Sequence, residues 1–203
     1  MWNEWPYLIS SFGESALLLP LSVVLALALA IRLSVGTALA WILSLGLCLG
    51  LIAALKVLGY SCGQFWFGRV VSQSGHVAFS TAFYGALGVM VAWGRGLAWL
   101  RIAVVVVVGA LVVAIAVSRN LVGVHSVGEI VGGFLVGGLA LALFARGYLR
   151  VAGSAPATGH KATAALAAIA LLLMIALWGR QLDAERAINA LSLSIRQHVD
   201  VCD

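Results

Sequence analysis

Apolar and polar positions along this chain fall into long blocks. Six nearly continuous apolar runs, at roughly 16–31, 35–55, 77–93, 102–117, 130–144 and 163–178, are separated by short polar stretches. A helix needs about 17 to 25 apolar residues to cross a hydrocarbon core of about 30 Å. The pattern predicts an all-α, polytopic bundle of six transmembrane helices, some of them short, over residues 15–179. Residues 1–14, with Trp2, Trp5, Pro6, Tyr7 and Phe12, predict an amphipathic segment lying in the membrane interface. Residues 146–161 hold Gly, Ser, Pro and Thr around Arg146, Arg150 and Lys161 and predict a polar loop; residues 180–203 predict a charged tail with helical character.

Composition supports the block pattern. Of 203 residues, 63% are hydrophobic and 9% charged, and mean hydropathy is +1.11, whereas soluble domains carry about 25% charged residues. An ordinary water-soluble globule is excluded, and the length is that of one domain. The net charge of +5 does not imply nucleic acid, because the twelve Lys and Arg are scattered between apolar runs and form no basic stripe. The first apolar run follows Glu4 and Glu14 and is not followed by a small-residue cleavage site. The first helix is therefore expected to stay in the membrane. Cys48 lies in an apolar run and Cys62 and Cys202 in polar segments, a spacing that makes neither a zinc cluster nor a disulfide scaffold. In this topology Cys62 and Cys202 face the same compartment, which leaves a pairing between them open.

Charge gives the bundle two sides. The turns holding Arg32, then Arg95 and Arg101, then Arg146, Arg150 and Lys161 fall on one side, while all seven acidic residues fall on the other, with Lys56, Arg69, Arg119 and the tail arginines. Positive charges divide evenly by raw count. Orientation, however, follows Lys and Arg in short loops near helix ends, and acidic residues contribute little. That weighting makes the first side cytoplasmic and turns residues 56–76 and 118–129 away from the cytoplasm.

Those two stretches hold the chain's chemistry. Even-numbered crossings bring them to one face. A phosphate monoester or diphosphate requires cationic and N–H donors around its oxygens, a nucleophile in line with the leaving group, and an acid for the leaving oxygen. Lys56, Arg69 and Arg119 supply charge; Ser74 and the Gly75 amide supply neutral donors at a predicted helix start, where unpaired N–H groups favour an anion. His125 and Glu129, four apart, are expected on one helical face, with the carboxylate holding the imidazole. Singly, Lys56 is a snorkelling anchor, Arg119 and Glu129 a structural ion pair, and each histidine an interface residue. Together, so many ionisable groups on one face of a charge-poor chain point to function. His160 and His198 fall outside the cluster. The glycines Gly128, Gly132, Gly133, Gly137 and Gly138 have the spacing of helix-packing contacts, not of a phosphate loop.

Gln73-Ser74-Gly75-His76, followed at a helix's distance by Ser118-Arg119, His125 and Glu129, resembles the second and third motifs of the type 2 phosphatidic acid phosphatase family, which includes vanadium haloperoxidases and bacterial polyprenyl diphosphate phosphatases. The resemblance spans about half the chain. It implies that His125 attacks phosphorus, Glu129 holds His125, His76 protonates the leaving group, and Lys56, Arg69, Ser74, Gly75, Ser118 and Arg119 hold the phosphate, with neither metal nor cofactor. Three departures stand out: Gln73 replaces Pro, Glu129 replaces Asp, and the first motif is reduced to Lys56 with Arg69 thirteen positions on and no Pro.

The resemblance implies a lipid phosphatase of the bacterial inner (cytoplasmic) membrane, its site facing the periplasm or outside. Its substrate would be undecaprenyl or another polyprenyl diphosphate, phosphatidate or phosphatidylglycerol phosphate. Two alternatives stand beside it: a lipid phosphotransferase of the same family, and a non-enzymatic anion-binding transporter or scaffold.

Overall fold

The computed structural model of the chain describes residues 4–62, 72–94, 97–152, 160–180, 182 and 188–194. Its named helices are α1 (Trp5–Ser11), α2 (Ser15–Arg32), α3 (Val35–Cys62), α4 (Gly75–Trp93), α5 (Ala98–Leu121), α6 (Val127–Ala152) and α7 (His160–Leu177). No strand occurs among the described residues. Several hydroxyls inside the long helices bond back to their own turn. Ser22 donates to the Leu18 carbonyl, Ser44 to Ala40 and Thr81 to Val77, each at 2.7 Å. In hydrocarbon that is the cheapest way to satisfy a polar group.

Five spans among the described residues have the length and apolarity to cross a membrane: Trp5–Arg32, Val35–Ser61, Gly75–Trp93, Ala98–Leu121 and Val127–Val151. The described apolar part of α7, Ala168–Leu177, is shorter. Many large apolar side chains face outward, including Trp99, Ile102, Val106, Val107, Val113 and Leu135. Lipid is the solvent that suits such a surface.

Helix α4 forms the centre, packing against α2, α3, α5 and α6. Its closest neighbour is α6, because α6 presents glycine where the two helices meet. A methyl group on Gly133 would stand 2.7 Å from the Ser74 carbonyl oxygen, and one on Gly137 would overlap the Ala78 carbonyl. Such small-residue contacts let backbones approach when water no longer drives helices together. Gly138 would meet nothing within 4 Å, so the expected packing role does not extend to it. At the other end of the bundle Trp41 packs on Phe144 at 5.3 Å and on Phe83 at 6.2 Å, and its Nε1–H donates to the Ser22 carbonyl at 3.1 Å. A hydrogen bond inside a membrane is worth about 0.6 kcal/mol on average, so packing carries this contact.

Several helices run further than the apolar pattern predicts. Helix α3 continues to Cys62, which places Lys56 inside it; α5 continues to Leu121 and takes in Ser118 and Arg119; α6 continues to Ala152. The expected loop at residues 146–161 is therefore corrected, since its first seven residues are helical. Polar side chains near a helix end leave the backbone hydrogen bonds intact, so they do not stop the helix. Tyr148 continues the apolar face by packing on Phe144 at 5.6 Å.

Candidate active site

Four segments meet at one end of the bundle: the elbow between α1 and α2, the end of α3, the start of α4, and the α5–α6 connection. Ser74 is the N-cap of α4, as expected for an anion-binding helix start. Its hydroxyl caps nothing: Ser74 Oγ is fully buried and has no hydrogen-bond partner among the described residues. Buried polar atoms rarely stay unpartnered without a functional reason or a ligand. Lys56 is buried as well, and a methyl group on Gly75 would lie 4.0 Å from the Lys56 Cε. The lysine therefore reaches the start of α4.

The α5–α6 connection is built by local rules. Gly123, at φ +75, takes the left-handed turn that ends α5. The Asn120 side-chain amide donates to the His125 carbonyl at 3.1 Å and fastens the connection. Ser126 then starts α6. The Ser126 N–H donates to Glu129 Oε2 at 2.9 Å, and the Glu129 N–H points back to Ser126 Oγ at 3.4 Å. This reciprocal pair is a capping box, written in the sequence as Ser-Val-Gly-Glu.

The capping box aims the carboxylate at the histidine. Glu129 Oε2 lies 3.2 Å from His125 Nδ1. The expectation that the two share a helical face is corrected, since His125 precedes the helix and the capped start brings them together. A carboxylate only accepts, so Nδ1 carries the hydrogen and Nε2 keeps its lone pair. Glu129 also ties the two helix starts: its Oε1 accepts the Ser72 N–H at 2.9 Å and its carbonyl the Ser74 N–H at 3.0 Å. Burial pushes His125 below its ordinary value of 6.5, against the hydrogen bond that Nδ1–H donates to Glu129, and the nearby charges of Arg119 and Lys56 push it the same way as burial. His125 is thus neutral near pH 7.

The other expected residues divide. Arg119 reaches α1, where its Nη1 donates to Ser10 Oγ at 2.9 Å. Ser118 is fully buried and donates to its own helix at the Ile115 carbonyl, 2.7 Å away. That bond spends its hydroxyl inside α5. Arg69 and Cys202 lie outside the described residues, as does the side chain of Cys62.

His76 has a partner the sequence did not suggest. Its Nε2 is 3.0 Å from Glu14 Oε1, a distance for an ion pair, though the oxygen stands off the line of a ring hydrogen bond. Glu14 is the N-cap of α2 but makes no capping bond there. The only sequence signal was an acidic residue at the edge of an apolar run in a chain with seven such residues. Ser126 was also overlooked, although its capping-box spacing was legible.

A cavity of about 420 Å³ opens between α4, α5 and α6, with neither His76 nor His125 in its lining. It is lined by apolar residues such as Gly85, Val108, Gly109, Phe134 and Leu141, with Thr81 the polar exception. Neither a family model, nor a curated protein, nor a solved structure matches this chain.

Proposed function

We propose that the protein is a membrane lipid phosphatase that works through a phosphohistidine on His125. The observation that carries this reading is the His125–Glu129 pair. A carboxylate on Nδ1, a neutral imidazole and nearby cations make Nε2 a nucleophile facing a site suited to an anion. An anion-binding scaffold requires the cations but not a histidine with its own carboxylate.

In the first step the Nε2 lone pair forms a bond to phosphorus. The bond from phosphorus to the leaving oxygen breaks, its electrons stay on that oxygen, and His76 supplies the proton. In the second step water attacks the phosphohistidine, His76 takes a proton from the water, and the P–N electron pair returns to His125. Lys56, Arg119, the buried Ser74 hydroxyl and the first amides of α4 would hold the phosphate oxygens. No metal is needed for either step. An acceptor alcohol in place of water would make the same site a phosphotransferase.

A lipid substrate suits the surroundings. Thr81 opens the apolar cavity five residues along α4 from His76, about 7.5 Å at the helical rise, so a head group at the histidines would leave its chain beside that groove. The candidate substrates are polyprenyl diphosphates, phosphatidate and phosphatidylglycerol phosphate. We place the chain in the bacterial inner membrane as a six-span bundle of the type 2 phosphatidic acid phosphatase kind, with its site turned outward. Support for this comes from the spacing of the two motifs and from Arg32, Arg101, Arg146 and Arg150 at the opposite helix ends.

The test is phosphate release from these lipids by purified protein, together with trapping of radiolabelled phosphate on the chain. Acid-labile, base-stable label on His125 supports the reading. Turnover unchanged in both His125→Ala and His76→Ala would end it.

A further inference from the structure

The elbow between α1 and α2 is held against the site from several directions. Arg119 bonds Ser10, and the Tyr84 hydroxyl donates to the Phe12 carbonyl at 2.9 Å. A methyl group on Gly13 would lie 3.0 Å from both Ser80 Oγ and Ile115 Cγ2 and 3.4 Å from the His76 Cβ. The elbow therefore sits directly on the His76 turn of α4, and Phe12 is closed from outside by Trp178 at 4.4 Å. Next in the chain stands Glu14, mostly buried, with its carboxylate unspent on its own helix and 3.0 Å from His76 Nε2.

We infer that Glu14 is the positioning residue for His76, holding its Nε2 side so that the opposite ring nitrogen, Nδ1, carries the proton delivered to the leaving oxygen. This rests on the phosphatase reading above and deepens it. In His76⁺ both nitrogens bear hydrogen. A carboxylate 3.0 Å from Nε2 sets the ring's orientation, and Nδ1–H remains to be transferred. When the proton has moved to the leaving oxygen, neutral His76 keeps its hydrogen on Nε2, the nitrogen beside Glu14, and Nδ1 has the lone pair that receives the proton of the attacking water. The site then contains two histidines with one carboxylate each. Glu129 holds Nδ1 of His125 and exposes Nε2 as nucleophile; Glu14 holds Nε2 of His76 and exposes Nδ1 as acid.

The role predicts how rate depends on the leaving group, which a purely structural role would not affect. Phosphatidate leaves a basic alkoxide that requires protonation; 4-nitrophenyl phosphate leaves a weakly basic phenolate that does not. With the full-length protein in detergent, Glu14→Gln is expected to slow phosphatidate hydrolysis by about tenfold or more, with a loss several times smaller on the aryl ester, and Glu14→Asp to recover part of the difference. Equal losses on both substrates would make Glu14 a clamp for the elbow only and overturn the inference, as would no loss on either. A wild-type protein that hydrolyses neither substrate would instead overturn the phosphatase reading, and the inference with it.

Discussion

The two histidines of the site are held in different ways. His125 and Glu129 are four residues apart, and their contact is made by the start of α6, where Ser126 caps the helix and turns the carboxylate. His76 and Glu14 belong to different helices, and their contact exists only because the elbow between α1 and α2 packs against α4 and α5. A local pair keeps its geometry as long as one helix end survives. A tertiary pair depends on a whole interface. In the proposed mechanism the nucleophile rests on the first kind of support and the acid on the second.

The largest expected effect separates the two pairs by role. His125→Ala should lower lipid phosphate turnover by about a thousandfold or more and abolish phosphoprotein. His76→Ala should still accumulate labelled His125 with 4-nitrophenyl phosphate, whose leaving group needs no acid. Rapid-quench labelling of the two variants decides this; label retained in His125→Ala would assign the nucleophile elsewhere.

Glu129→Gln comes next and divides catalysis from capping. Glutamine keeps one oxygen for the Ser126 N–H of the capping box but sets its amide nitrogen against the Ser72 N–H, so a thermal scan should show a loss of about 1 to 3 kcal/mol. His125 loses its anionic partner, and turnover should fall on the order of a hundredfold to ten-thousandfold. A matching collapse of stability would show that the carboxylate serves mainly the helix.

A smaller effect is expected from pH. Burial holds His125 below its ordinary 6.5; a base so depressed stays unprotonated until pH falls below that value. The acid limb of kcat/KM should therefore lie below pH 6.5, with about a tenfold fall per unit beneath it. An acid limb above 6.5 would contradict a neutral, desolvated nucleophile.

The smallest effect concerns the lipid chain. Gly109 lines the apolar cavity, and a methyl group there meets nothing within 4 Å. Gly109→Leu should thus fill the groove without disturbing the helices. It should lower kcat/KM for long-chain phosphatidate by about threefold to tenfold, an effect of the order of one or two methylenes in an apolar pocket. Short-chain substrate should react as before, and equal loss on both would remove the groove from the substrate path.

Much of this was legible without coordinates. Long apolar blocks determine membrane-length helices by themselves, because a backbone in hydrocarbon must satisfy its own hydrogen bonds. Ser74 at a helix start and the nearness of His125 to Glu129 are local in sequence and legible in the spacing, while the capped start of α6 sets the contact between the two side chains. Helix ends were less legible: Lys56, Ser118 and Arg119 were expected beside the helices and lie within them, because interfacial lysine, serine and arginine do not stop a helix. The glycines of α6 were legible as packing residues, but only the α4 backbone shows that Gly133 and Gly137 make the contact and Gly138 does not.

What the sequence determined by itself is the solvent of this protein, its helical build, and the nearness of His125 to Glu129, since each depends on apolar run length or on neighbours within one turn. What only the tertiary structure decided is the company of His76. Glu14 and His76 meet because a glycine elbow fits between α4 and α5, and no periodicity records a contact between side chains that distant stretches of chain bring to 3.0 Å.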